Sequence, residues 1–198
     1  MTPVDFFFDP GCPWTWVTSR WLVEAATERD LTIHWRPYSL KVKHGDDRAE
    51  KHREREEASH RALRVIVALD EALGNDAVGA FYTERGYRVF GGEGAEDLAG
   101  VLVAAGLDPA FAEAAEDTAH DPAIEASMEE AHQLAGDGSG SPIISIEGTG
   151  RGYFGPVLTA VPADAGALWD LVVGLTSIPE LHELKRDRPT GPSLPPRP

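Results

Sequence analysis

The side chain in this sequence best suited to covalent chemistry is Cys12, the single cysteine among 198 residues. A thiol is a strong nucleophile only as the thiolate, and its surroundings set how much thiolate exists. Cys12 follows the aromatic run Val4-Asp5-Phe6-Phe7-Phe8-Asp9 and precedes Pro13, where a helical pattern begins. At a helix start the unpaired N–H groups and the macrodipole favour an anion. Pro13 suits that first turn, because its missing N–H would have had no helical partner. A lone cysteine without such a setting is a small buried apolar residue, whereas this placement makes Cys12 a candidate nucleophile. Pro13 and Trp14 are candidate thiol-binding residues beside it, with Trp14 expected to be exposed. Thr15 stands where a dithiol site would carry its second cysteine. Its hydroxyl can donate to a Cys12 thiolate or bond locally to backbone, and the residue types leave both open. One cysteine forms no internal disulfide, so any thiol cycle must draw its second thiol from solution or from a partner.

Ser141-Pro142, before the apolar run Ile143-Ile144-Ser145-Ile146, is the second candidate. In an α/β redox fold, a cis proline beside the cysteine frees the backbone of the preceding residue to pair with a thiol substrate. Only about 5–6% of X–Pro bonds in folded proteins are cis, so fold context alone argues for it here.

The elements that must position these residues follow from periodicity. Val4 to Asp9 suits a buried strand, and Pro10, Gly11 and Pro13 punctuate the chain after it. Trp14, Val17, Trp21, Leu22 and Ala25 recur at helical spacing up to Arg29-Asp30, and Leu31 to Trp35 alternates again before Pro37. This is a βαβ unit whose first loop carries Cys12. Asp46 to Arg61 is a dense mixed-charge run, expected as a solvated helix face that takes His52 and His60 with it. Ala62, Val65, Ile66, Leu69 and Leu73 continue at helical period to a stop at Gly74-Asn75. Further helices are predicted over 78–90 and 96–105, and after Asp108-Pro109 and Asp121-Pro122, each aspartate capping a helix with proline first. Gly136 to Ser141 is a loop, Pro142 to Ile146 a strand, and Gly152-Tyr153-Phe154 a short partner. Asp164 caps a last helix with Leu168, Leu171, Val172 and Leu175 inward. The resulting order, βαβ, helical block, ββα, is an α/β, thioredoxin-like arrangement with a large helical insertion. It predicts a domain over 1–45 and 136–186, an inserted helical domain over 46–135, and a tail over 187–198 whose five prolines leave it extended and without a core.

Composition narrows the function. The chain is 42% hydrophobic and 26% charged, ordinary for a globular protein. Its 18 basic and 33 acidic residues give a net charge of −15, which argues against nucleic acid and anionic membrane surfaces as partners. No apolar run approaches the roughly 20 residues of a membrane helix and no leader pattern opens the chain, so a reducing, cytoplasmic location is expected. The seven histidines show no zinc-ligand spacing, and no metal is expected. Gly91-Gly92-Glu93-Gly94 does not sit between a strand and a helix as a phosphate loop requires. Arg20, in the early turns of the first helix, is expected to form a surface ion pair rather than hold a cofactor carboxylate.

The stretch Asp9-Pro10-Gly11-Cys12-Pro13-Trp14-Thr15-Trp16 resembles the active-site signature of actinobacterial DsbA-like proteins. It is most similar to the mycothiol-dependent nitroreductases, whose pattern is Asp-Pro-x-Cys-Pro-Trp-Cys-Trp. Thr18-Ser19-Arg20-Trp21, Tyr38-Ser39-Leu40, Phe154-Gly155-Pro156-Val157-Leu158, Leu168-Trp169-Asp170 and Glu183-Leu184-Lys185-Arg186 continue the likeness in register. The resemblance implies a thioredoxin fold with a helical lid and a cytoplasmic role. It implies Cys12 as a nucleophile working with mycothiol, and Ser141 and Pro142 as the cis-proline loop, where the family typically has Thr-Pro. It does not carry over a second cysteine, because Thr15 stands there. The expected function is a DsbA-family thiol oxidoreductase with one nucleophilic cysteine. Small thiols and electrophiles (disulfides, mixed disulfides or nitroaromatics) are its expected partners, and homodimerisation is left open. Two alternatives stay open: a kappa-class glutathione-transferase or isomerase-like enzyme that uses Thr15 to activate a bound thiol, and a non-catalytic binding module.

Overall fold

The structure, a computed structural model, describes residues 1–45, 50–94 and 97–197. Its centre is strand β1 (Thr2–Phe8). β1 pairs in parallel with β2 (Leu31–Pro37), Thr2 opposite Leu31 and Phe8 opposite Pro37. On its other side it pairs antiparallel with β3 (Ile143–Ile146), Phe7 opposite Ile143. β3 in turn pairs antiparallel with β4 (Gly152–Phe154), so the sheet order is β2-β1-β3-β4. Successive side chains of a strand point to opposite faces. Phe6, Phe7 and Phe8 are all fully buried, so both faces of β1 are covered. Phe6 and Phe8 each meet Trp35 edge-on, and Phe8 lies 4.2 Å from the Tyr82 ring.

Helix α1 (Pro13–Glu28) connects β1 to β2, with Val17, Trp21, Leu22 and Ala25 inward as their spacing predicts. After β2 come the short α2 (Leu40–His44), α3 (Glu50–Leu73), α4 (Asn75–Gly91), α5 (Leu98–Ala104) and α6 (Asp121–Ala135). The last helix, α7 (Ala165–Thr176), packs on α1, where the Trp21 indole N–H donates to the Ala165 carbonyl at 3.0 Å. This is the predicted βαβ, helices, ββα order.

Several local expectations are corrected. Asp108 does cap a segment, but Pro109–Glu116 is a 3-10 helix. Asp121 is not a cap: it opens α6 behind His120, and its carboxylate is taken by Arg64 and His60. Asn75 begins α4 rather than ending α3, and its side chain bonds both backbone groups of Trp35. Leu168 and Val172 pack partly buried against the core as expected, but Leu171 (64%) and Leu175 (37%) are exposed, and the fully inward positions of α7 are Ala165, Gly166, Trp169 and Thr176. The start of the charged run, 46–49, and Glu96 lie outside the described residues. From Glu50 on, the run is helical but not wholly solvated, because Glu56, Ser59 and His60 are buried. The tail is extended yet tied down. Ser193 N–H donates to the Thr159 carbonyl, and Arg197 grips Glu84 of α4 through both guanidinium nitrogens at 2.6 and 2.9 Å.

Helix α4 closes on α1 through Gly86. A Cβ there would sit 2.1 Å from a Trp16 ring carbon, whereas one at Gly174 in α7 would meet nothing. Gly86→Ala is therefore expected to lower stability by about 1–3 kcal/mol through overpacking. Gly174→Ala should be neutral or raise it by up to about 1 kcal/mol. Denaturant midpoints of the two variants check this.

Candidate active site

The chain leaves β1 at Phe8, and Asp9 turns it. The Asp9 carbonyl accepts the Cys12 N–H at 3.1 Å, and the Cys12 carbonyl accepts the Trp16 N–H, the first turn of α1. Cys12 is thus the N-cap residue of α1 with Pro13 in the first turn, where sequence reading put it. Ser141-Pro142 is cis, as is Gly155-Pro156. The Ser141 carbonyl lies 4.0 Å from Cys12 Sγ. The Ser141 hydroxyl accepts the Asp9 N–H at 2.9 Å and lies 2.9 Å from Thr15 Oγ1. The fold therefore brings Cys12, Thr15, Ser141 and Pro142 into one cluster.

Thr15 is fully buried, and its hydroxyl contacts Ser141 rather than capping backbone. Pro13 and Trp14 are half-buried, the Trp14 ring lying under the Arg188 guanidinium at 4.8 Å. The surface expected for Trp14 is thus shared with the C-terminal segment. Arg20 makes no surface ion pair. It is 8% exposed, lies 4.2 Å over the Trp16 ring, and donates to Thr83 and Ser19 with no carboxylate partner among the described residues. Burial lowers its pKa.

The helix start does not make Cys12 an acidic thiol in this state. The residue is 8% exposed, and burial pushes the thiol above its ordinary value, with the Asp9 carboxylate adding to the push. The Thr15 hydroxyl and the N–H groups of Thr15 and Trp14 pull the other way and favour the thiolate. Desolvation of a buried anion exceeds what partial helix charges return.

Asp9 has the densest set of contacts in the loop. It is 1% exposed, and its carboxylate accepts the Gly11 N–H at 2.8 Å, the Ser59 hydroxyl at 2.6 Å and the Leu40 N–H at 2.8 Å. Burial raises its pKa, opposed by those three bonds and by Arg85. Arg85, on α4, is 3% exposed and donates to the Pro10 carbonyl at 2.8 Å. Next to Ser59 on α3, His60 is buried too, between Ser39 Oγ at 2.9 Å and Asp121 Oδ1 at 3.2 Å, and burial lowers its pKa. Ser59 and Arg85 thus shape the cysteine loop without having been singled out in the sequence, and Asp9 entered there only as the first residue of the signature. The signal for Ser59 is its place three or four residues before Ala62 and Leu63, on the extension of the apolar stripe of α3. Among the described residues no group of three or more His, Cys, Asp or Glu is placed to hold a metal ion, and no helix is long and apolar enough to cross a membrane.

With this geometry in view, comparisons with known proteins are informative. A family model described as Rv2466c-like, mycothiol-dependent nitroreductase Rv2466c, matches residues 11–186. The uncharacterized protein Rv2286c of Mycobacterium tuberculosis (strain ATCC 25618 / H37Rv) is 31% identical over 196 residues, 95% of this chain and 83% of that protein. Among solved structures, a probable DsbA oxidoreductase from Streptomyces coelicolor superposes with a TM-score of 0.59 at 19% identity, covering 98% of this chain and all of that one. A cytosolic disulfide reductase from Pseudomonas aeruginosa gives 0.54 at 18% identity, over 87% of this chain and 99% of that one. These two likenesses establish a DsbA-type, thioredoxin-like fold.

The raised thiol pKa has a kinetic consequence. Alkylation of folded Cys12 by a small neutral reagent should be slow at neutral pH and still rising as pH passes 9.0, the ordinary thiol value. A rate that levels off below neutrality would contradict the burial argument.

Proposed function

The chain belongs to the Rv2466c-like family of mycothiol-dependent nitroreductases, thiol-dependent oxidoreductases of DsbA-type fold, and on that premise we propose that Cys12 works as a monothiol nucleophile. The observation that carries this reading is the meeting of the one cysteine, at the start of α1, with the Ser141 carbonyl of the cis-proline loop. A small thiol, mycothiol by the family's name, supplies the second sulfur that Thr15 does not.

The Cys12 thiolate attacks one sulfur of a mixed disulfide. A new S–S bond forms to Cys12, the old one breaks, and the other sulfur leaves as a thiolate. A free thiolate then attacks the outer sulfur of the adduct, which releases the Cys12 thiolate and a new disulfide. Both steps are the same exchange reaction. With a nitroaromatic acceptor, the first two-electron step oxidises two thiols to one disulfide, reduces nitro to nitroso and releases one water. Pro13 and Trp14 flank the sulfur and line the thiol's approach. The Ser141 carbonyl next to Pro142 accepts an N–H of the bound thiol compound. A cytoplasmic, reducing compartment fits this chemistry, since it keeps the single thiol reduced.

Thr15 and Ser141 serve the anion. Either hydroxyl can donate across the 2.9 Å contact between them, and Ser141 Oγ, which accepts the Asp9 N–H, also lies 3.4 Å from the Phe7 carbonyl as a possible acceptor. When Ser141 donates to Thr15, the Thr15 hydrogen is free to point at the sulfur. The chain Asp9 N–H, Ser141 O–H, Thr15 O–H then ends on the thiolate. The transferase or isomerase reading, in which Thr15 activates a bound thiol directly, draws no support from a Thr15 side chain with no exposure.

Intact-mass measurement after incubation with oxidised mycothiol tests the proposal. One adduct is expected, on Cys12, removable by free thiol; no adduct at any pH would sink the reading. Thr15→Val should slow adduct formation about tenfold at fixed pH, a bond to a charged group being worth about 1.5–3 kcal/mol. Thr15→Cys should make the adduct transient, the new thiol displacing it to form an internal disulfide.

A further inference from the structure

We propose that Arg85, on α4, is a positioning residue for Cys12: it fixes the cysteine loop through the Pro10 carbonyl and balances the buried negative charge of Asp9 beside the sulfur. This deepens the nucleophile reading and rests on it.

The geometry is unusual for an arginine. Arg85 is 3% exposed, its Nη1 donates to the Pro10 carbonyl at 2.8 Å, and its Nε has no hydrogen-bond partner. Among the described residues it makes no carboxylate contact within ion-pair distance. Burying a guanidinium without a direct partner is costly, and burial pulls its pKa down to about 10, with Asp9 the strongest opposing influence.

The titratable and polar groups around the sulfur come from several elements. The turn after β1 brings Asp9, whose carboxylate holds three donors. α4 brings Arg85 and Tyr82, the latter fully buried with its pKa raised by burial. α1 brings Arg20, stacked on Trp16 and Tyr82. The segment after β2 brings Tyr38, whose phenol burial pushes up to about 12. α3 brings Ser59, with His60 turned to Ser39 and Asp121. The Ser141 loop brings hydroxyl and carbonyl only. Asp9 and a Cys12 thiolate would be two buried anions side by side, an arrangement that suppresses the second ionisation unless a cation offsets the first. Arg85 is that cation, and it is delivered by a helix 75 residues away in sequence. Gly11 shows how tightly the loop is held on its α3 side, since a Cβ there would come within 2.9 Å of Ser59 Cβ.

The test is the rate of Cys12 modification by neutral dithiodipyridine as a function of pH, with folding checked by circular dichroism. Arg85→Met should react about tenfold more slowly at a fixed pH below the thiol's midpoint, its profile displaced upward by about one unit. Arg85→Lys should stay near wild type. Asp9→Asn/Arg85→Met, which removes both charges, should recover most of the lost rate. A superimposable profile for Arg85→Met, or a double variant as slow as the single one, would overturn the inference. Should Arg85→Met not fold, Arg85→Gln, which keeps an N–H for the Pro10 carbonyl but carries no charge, makes the same comparison: it is expected to react about tenfold more slowly than wild type, and an unchanged profile overturns the idea. Wild-type protein unreactive at every pH would instead defeat the nucleophile reading beneath it.

Discussion

Every polar group of Asp9 is engaged, and the site is organised around that fact. Its N–H holds Ser141, its carbonyl holds the Cys12 N–H, and its carboxylate gathers Gly11, Leu40 and Ser59. One residue thereby joins the end of β1, the cysteine loop, the cis-proline loop, the start of α2 and the middle of α3. Removing the carboxylate would leave three buried donors without an acceptor, each costing about 1–3 kcal/mol. The sulfur sits where these constraints converge, and its position is therefore a property of the whole sheet-and-helix junction rather than of a local loop.

The same burial that makes the junction rigid works against the chemistry. A thiol at a helix start gains from the unpaired N–H groups, yet at 8% exposure the loss of solvent outweighs that gain. The site answers with specific donors, the Thr15 hydroxyl and the Thr15 and Trp14 N–H groups, and in our reading with a buried counter-charge from α4. The helices between β2 and β3 supply Ser59 and Arg85 to the cysteine loop and so form part of the site. At its outer edge Arg188 lies on Trp14, and Arg197 anchors the C-terminal segment to Glu84, whose carboxyl is held low by the pair.

Much of this was legible in residue order. A strand followed by Cys-Pro and a helix needs no tertiary information to be seen, because strand and helix differ in period and proline marks the first turn. The Ser141-Pro142 loop was legible only because a strand follows it and the topology returns that strand beside β1. Asp9 stood inside the recognised motif, but its partners come from residues 31 and 50 positions away, and hydrogen-bond topology leaves no local periodic trace. Charge density hid His60 and Ser59, since a run rich in Glu and Arg reads as solvated even where one stripe of it turns inward. Arg85 went unnoticed, and Arg20 was read as half of a surface ion pair, for a related reason: buried guanidinium groups break the rule that charge lies outside, and such exceptions cluster where a site needs them. Asp108 and Asp121 were read as equal caps, yet only tertiary pairing with Arg64 distinguishes the second.

The proposed chemistry needs a single sulfur to carry out the exchange with a thiol from solution. Its most direct test is steady-state reduction of a small mixed disulfide by mycothiol, with wild-type protein and Cys12→Ala compared at equal concentration. Turnover that vanishes with the sulfur is the predicted result. Turnover that survives its removal would place the chemistry elsewhere and contradict the account.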